Sequence, residues 1–264
     1  MDFTTAEDAA DRLIEHRRAS ARAGTPVTHT LRPAAEVLSA ALAPTNAADA
    51  YAIQDALIRR LGPVAGWKVG ARGEDTPACA PVWASVLHRE ADAPVFASAE
   101  VDYECEIAYT FARALPAAGA PYDTAAVLAA IGGTQVSMEL LAPRFSPPRE
   151  RGEPLVMLAD GLHCGALVIG ARVPGYVAVD CTTQRVQVQV NGNTVIDHAG
   201  GTTGPALAPL LVWLANHLAA RGLGLQAGDV VTTGSWMGKR AALAEGEVCV
   251  RFEGFGEMRV GFGA

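Results

Sequence analysis

Basic residues are in deficit in this chain: 264 residues carry 21 Lys and Arg against 28 Asp and Glu, a net charge of −7 at pH 7. Phosphate backbones are bound by clustered Lys and Arg, so this balance argues against a nucleic-acid binder. The one basic cluster, around His16-Arg17-Arg18, is short. Long apolar runs are also missing, since none reaches the roughly 20 residues that cross a bilayer. The first residues include Asp2, Glu7 and Asp8 and do not form a secretory signal pattern, so the cytoplasm is the expected compartment. Cysteine is sparse and odd in number, five residues at 79, 105, 164, 181 and 249. Without C-x-x-C spacing they favour reduced thiols over a disulfide framework or a zinc knuckle. Neither an internal repeat nor a low-complexity linker appears beyond an enrichment in alanine. What is present is an ordinary globular composition, 50% hydrophobic and 19% charged, which supports a sizeable core in one large or two small domains.

Hydrophobic periodicity divides the chain. Thr4-x-x-Glu7 reads as a capping box that opens a helix over 4–21, with Ala9, Ala10, Leu13 and Ile14 on one face and Gly24-Thr25-Pro26 at its end. A second helix runs from a cap at Thr45 or Asn46 to Leu61 and stops at Gly62-Pro63. Beyond Gly66 the pattern turns to strands at 67–69, 103–111, 134–140, 166–169 and 186–190, the last followed by an Asn191-Gly192-Asn193 hairpin turn. Helical segments at 124–131 and 206–218 interrupt them, and alternating Val248, Val250, Phe252 and Met258, Val260, Phe262 close the chain as strands. The expectation is an α+β protein, a helical region over 1–65 and a mixed β body over 66–264, folded as one cooperative unit.

Two glutamates one residue apart, in Tyr103-Glu104-Cys105-Glu106-Ile107, occupy a strand that reads as buried. Residues i and i+2 of a strand share a face, so two carboxylates stand side by side and repel unless something positive answers them. A divalent cation would answer both, and hard cations such as Mg2+ or Mn2+ take oxygen ligands. Glu139, on the polar face of its strand with Gln135 and Ser137, can close a three-carboxylate site. A solvated strand face is the plainer reading of the same residues.

Other candidates carry two readings each. Lys68, in a short apolar strand, must find a charge partner or lose its proton, and serves either a substrate carboxylate or a glutamate of the site. Gly234-Ser235, after a strand end, offers backbone amides and a hydroxyl to a carboxylate, or is a plain turn. Asp160 orients a water or a side chain, or caps a helix. His163 is an acid or base candidate or a structural hydrogen bonder, and its neighbour Cys164 would face the other way on a strand.

Tyr51-Ala52-Ile53-Gln54, Gly66-Trp67-Lys68-Val69-Gly70, Glu104-x-Glu106, Glu139, Ala159-Asp160-Gly161 and 228–236 follow one another in a characteristic order. From about Ala50 onward the chain resembles the 2-keto-4-pentenoate hydratase and 4-oxalocrotonate decarboxylase family of the fumarylacetoacetate hydrolase superfamily. The resemblance implies a distorted β-roll or sandwich around Mg2+ or Mn2+ held by Glu104, Glu106 and Glu139, with Lys68 in the active site. It implies a hydro-lyase or carboxy-lyase acting on a small 2-oxo or 2-hydroxydienoic acid, hydration first and 4-oxalocrotonate-type decarboxylation second. An acylpyruvate-type C–C hydrolase lacks a clear His-Glu water-activating pair here. A non-catalytic homologue that binds a 2-oxo acid or stabilises a partner enzyme is the reading from another class. The family also implies a homo-oligomer, with a pathway enzyme as a further partner. Two departures stand out: Val82 occupies the place of a family aspartate, and Leu162-His163-Cys164 replaces a small polar stretch. Slow turnover of ordinary hydratase substrates is the consequence expected, with His163 supplying the proton for another substrate.

Overall fold

The computed structural model describes residues 1–22, 32–71, 76–97, 102–145, 154–201, 206–241 and 245–263. Helix α1 (Phe3–Arg22) opens where the Asp2 carboxylate accepts from the Thr5 amide at 2.8 Å. Asp2 is therefore the cap, and the expected capping box does not form because Glu7 reaches across to Arg59 and Arg60 instead. Gly24-Thr25-Pro26 lies outside the described residues. A short α2 (Ala34–Val37) precedes α3 (Ala47–Leu61), whose N-cap Asn46 accepts from the Asp49 amide at 2.9 Å. Gly62 ends α3 with φ 105°, a conformation that glycine adopts at little cost.

The strands follow as β1 (Val64–Gly70), β2 (Ala78–Trp83), β3 (Leu87–Arg89), β4 (Phe96–Ala97), β5 (Asp102–Phe111) and β6 (Ile131–Leu141). Next come β7 (Cys164–Pro174), β8 (Arg185–Val190), β9 (Asn193–Ala199), β10 (Val230–Thr232), β11 (Arg240–Ala241), β12 (Gly246–Phe252) and β13 (Gly256–Gly263). Helix α4 (Thr124–Ala130) precedes β6, α5 (Pro154–Ala159) precedes β7, and α6 (Leu207–Ala220) precedes β10. Helix α4 stops one residue before the expected end, because Ile131 already opens β6.

A large mixed sheet has the order β2-β1-β10-β5-β6-β7-β3 with β11 attached to β5, and a second sheet has the order β4-β13-β12-β8-β9. Pro81 masks β2 in the sequence, yet β2 lies at the sheet edge, where a missing N–H costs no ladder bond. On the large sheet Trp67, Val69, Cys105, Ile107, Val136, Met138, Ala166 and Val168 face the main core. That core is continuous from Ala6 and Leu13 of α1 to Phe262 of β13. The opposite face carries the alternate residues, including Lys68, Glu106, Ser137, Glu139 and Thr232. There, a small apolar cluster forms from Val82, Ala108, Cys164, Leu167, Ile169 and Val230. The architecture is α+β, helices around a mixed, curled sheet body.

Candidate active site

The β5–β6 ladder sets Glu104 opposite Glu139 and Glu106 opposite Ser137. Opposed residues of an antiparallel pair share a face, as do i and i+2, so all three glutamates converge. One oxygen from each lies within 4.8 Å of the others. Glu106 and Glu139 are 1% and 2% exposed, while Glu104 is half-buried. Cys105, between them, points the other way into the core.

Glu106 is held from two sides. The Gly234 amide donates to its carboxylate at 2.9 Å, and so does the Thr232 hydroxyl, which lies 2.9 Å from the Ser137 hydroxyl. Burial, with the Glu139 and Glu104 carboxylates, pushes Glu106 up to about 8. A buried, crowded carboxylate of this kind is a hallmark of a site that works on charge. Burial also pushes Glu139 up, although Lys68 pulls against it. The Lys68 ammonium donates to Glu139 and to the Leu162 carbonyl at 3.0 Å. Burial pulls Lys68 down, but the Glu139 carboxylate leads the groups that outweigh it and keep the ammonium form.

The Leu162 carbonyl belongs to a strained turn. Gly161, Leu162 and His163 all have positive φ, 82°, 52° and 63°. For the two non-glycine residues this costs on the order of 1–2 kcal/mol each, and it persists only where the surroundings impose it. They do so here through hydrogen bonds from the Leu162 amide to Met157 and from the Ala142 amide to His163. Asp160 just upstream adds a clasp. Arg17 Nε donates to Oδ1 at 2.7 Å, Arg144 Nε donates to Oδ2, and both guanidiniums reach the Asp160 carbonyl. Burial pushes the Asp160 carboxyl up, but Arg144 and Arg17 hold it below its ordinary value.

The sequence candidates thus take different places. Glu104, Glu106, Glu139 and Lys68 meet in one cluster. Asp160 spends both carboxylate oxygens on guanidiniums and positions the turn. His163 stands on that turn with its Nδ1 buried and unpartnered among the described residues, and burial, followed by Arg144, holds its pKa down at about 4. Burial pushes the Cys164 thiol up to about 12, so it is no nucleophile beside His163. Gly234 spends its amide on Glu106, leaving it no free N–H for a substrate, and the buried Ser235 hydroxyl accepts from the Met237 amide at 3.4 Å. Val82, 1% exposed, is packed in the small apolar cluster and supplies no proton. Sequence reasoning missed Thr232, Arg17 and Arg144. Thr232 shares the period of its strand with the site face, but Arg17 lies 143 residues from Asp160 and leaves no local signal.

The donor set fits a hard divalent cation: oxygens only, anionic, mutually repelling and mostly buried. The family described as Fumarylacetoacetate (FAA) hydrolase C-terminal matches residues 73–262. The 2-hydroxyhexa-2,4-dienoate hydratase of Comamonas testosteroni is 28% identical over 159 residues, which span 60% of this chain and only 59% of that protein. The 4-oxalocrotonate decarboxylase from Pseudomonas putida G7, complexed with magnesium and adipate, superposes at a TM-score of 0.78 and 20% identity, covering 98% of each chain. A fumarylpyruvate hydrolase from Pseudomonas aeruginosa, in complex with Mn2+ and pyruvate, superposes at 0.51 and 16% identity over 74% of this chain and 88% of its own. At such identities the solved structures establish the fold. The family match covers most of the chain, including the strands that bear the glutamates, and the chain therefore belongs to the fumarylacetoacetate hydrolase family, whose members include enzymes of the hydratase and decarboxylase types.

Proposed function

We propose that this protein is a divalent-metal-dependent lyase acting on a small 2-oxo or 2-hydroxydienoic acid, with hydration as the leading reaction. The observation that carries this reading is the convergence of Glu104, Glu106 and Glu139 within 4.8 Å, with Lys68 against Glu139. Glu104, Glu106 and Glu139 would hold Mg2+ or Mn2+, which supplies Lewis-acid polarisation of a 2-oxo acid when bound. Thr232 and the Gly234 amide fix the Glu106 carboxylate in place. An ammonium has three N–H donors. Lys68 gives one to Glu139 and one to Leu162, and the third is left for a substrate carboxylate or enol oxygen. His163, on the strained turn, is held neutral at pH 7 by burial and Arg144, and its unpartnered Nδ1 is open to a hydrogen bond with a bound acid.

Decarboxylation of a 4-oxalocrotonate-like acid is the second reading, favoured by the apolar side chain at Val82. Loss of CO2 needs a proton delivered to carbon but no water activated, so an uncharged side chain serves it well.

Calorimetry with Mn2+ on the parent and Glu106→Gln tests the cluster. We expect parent binding and at least about 10-fold weaker binding in the variant, the loss typical of a disturbed ligand shell. Equal affinity in the two would place the cation elsewhere. Parallel assays of 2-hydroxypenta-2,4-dienoate hydration and 4-oxalocrotonate decarboxylation then separate the two readings.

A further inference from the structure

The reading just proposed gives Lys68 one N–H for the substrate, and the inference drawn here rests on that reading. Lys68 is held by two acceptors, Glu139 and the Leu162 carbonyl at 3.0 Å, and only the first belongs to the glutamate cluster. The second stands on the turn at 161–163, where three successive residues have positive φ. A strained backbone persists only where its neighbours impose it, so whatever holds this turn also fixes where the Leu162 carbonyl points.

Part of that hold comes from a helix remote in sequence. Helix α1 precedes the residues that match the family, 73–262, yet its last two turns send two side chains to the segments beside the site. His16 Nε2 lies 2.5 Å from the Arg144 carbonyl, and its ring stacks on Phe145 with centroids 5.5 Å apart. Arg17 donates from Nε to Asp160 Oδ1 at 2.7 Å and from Nη2 to the Asp160 carbonyl at 2.5 Å. One planar fork thus grips the side chain and the backbone of the same residue. The guanidinium also lies over the Trp83 ring, 4.9 Å from its centroid. A Cβ added to Gly161 would meet Trp83 Cη2 at 3.5 Å and Arg17 Nη2 at 3.6 Å, so the first residue of the strained turn rests against this stack. Arg144 grips Asp160 as well, but its other bonds go to the nearby Ala142 and Cys164 carbonyls. Arg17 is the member of the clasp that ties the turn to α1. A series of direct contacts runs from Arg17 to Asp160, along two peptide units to Leu162, and from its carbonyl to Lys68.

We infer that Arg17 is a positioning residue for the reaction: by holding Asp160 it fixes the turn whose Leu162 carbonyl aims the Lys68 ammonium at the bound acid. The N-terminal helix is then a working part of the active site without touching the substrate.

The test is a double-mutant cycle read by calorimetry, with Mn2+ alone and then with oxalate, an analogue of a 2-oxo acid enolate, on the Mn2+-loaded protein. Arg17→Met is expected to bind Mn2+ within about 2-fold of the parent, because it touches none of the three glutamates. It should bind oxalate about 10-fold more weakly, the effect of one misdirected charge-assisted hydrogen bond. In a Lys68→Met background the same change should cost less than about 2-fold, since the group it positions is gone. A residue that only supports the fold would cost the same in both backgrounds. Equal losses in the two, an oxalate affinity unchanged by Arg17→Met, or a Mn2+ affinity that falls in step with it overturns the inference while the metal and 2-oxo acid reading stands. Arg17→Lys, which keeps the charge but not the fork, takes its place in the same cycle if Arg17→Met does not fold. Failure of oxalate to bind the Mn2+-loaded parent overturns that reading and the inference with it.

Discussion

At the residue scale the site is governed by how few charges are left free. Asp160 illustrates it, because one carboxylate is shared by two guanidiniums, one from α1 and one from just beyond β6. Removing one partner of such a buried set leaves charge uncompensated, at a cost of about 3–5 kcal/mol. Asp160→Asn is therefore expected to lose about that much stability at pH 7 in urea melts. The pH dependence has a defined sign. The folded pKa of Asp160 lies below its ordinary 3.8, so its contribution is present above about pH 3.8 and is lost as pH falls through the folded value. Parent and variant should differ most at neutral pH and converge in acid; a constant gap would show that the carboxylate charge is not what the guanidiniums need. Lys68 obeys the same economy: two committed donors, to Glu139 and the Leu162 carbonyl, leave one N–H for the role proposed above.

At the scale of elements, α1 reaches the site through Arg17, which its packing seats against Asp160. Ala6, Ala9, Ala10 and Leu13 are buried, and Arg17 lies one turn beyond Leu13 on the same helix. Leu13→Ala should cost about 2–5 kcal/mol for a core leucine. Because Arg17 would lose its seating, turnover should fall as well, even at temperatures where the variant is fully folded. Unchanged turnover in a folded but destabilised Leu13→Ala would show that the clasp on the strained turn does not matter to the reaction. The same scale explains what could be read from the chain. Helix α3 was legible because Asn46 and Gly62 punctuate a clear period, and β8 and β9 because Asn191-Gly192 marks a two-residue turn. Strand β2 was hidden by Pro81, tolerated only at an edge that the sheet order defines. Helix α5 was hidden too, since a six-residue apolar run fits a helix or a strand equally.

At the scale of the whole molecule, one core joins the helices of the first quarter to both sheets. We expect 1–65 and 66–264 to unfold together, as a single calorimetric transition with matching calorimetric and van't Hoff enthalpies. Mg2+ or Mn2+ should raise its midpoint, by the equivalent of about 2.7 kcal/mol at 100 times the dissociation constant. Two separated transitions, with only the later one responding to metal, would show that the helical region is a domain of its own.

The sequence by itself determined the pairing of Glu104 with Glu106, because a period of two is a local property of a strand, and the α+β class, because hydrophobic periodicity changes at Gly66. It determined as well that Lys68 needed a partner. Which partner, and which face Glu139 shared, was decided by the register that sets Glu104 against Glu139, a choice made by two strands and their neighbours together. The clasp on Asp160 and the hold of Gly234 and Thr232 on Glu106 are likewise tertiary. Apart from Arg144, 16 positions from Asp160, the partners lie more than a hundred positions apart, and no local pattern encodes contacts that exist only once the sheet has closed and excluded water from the charges between them.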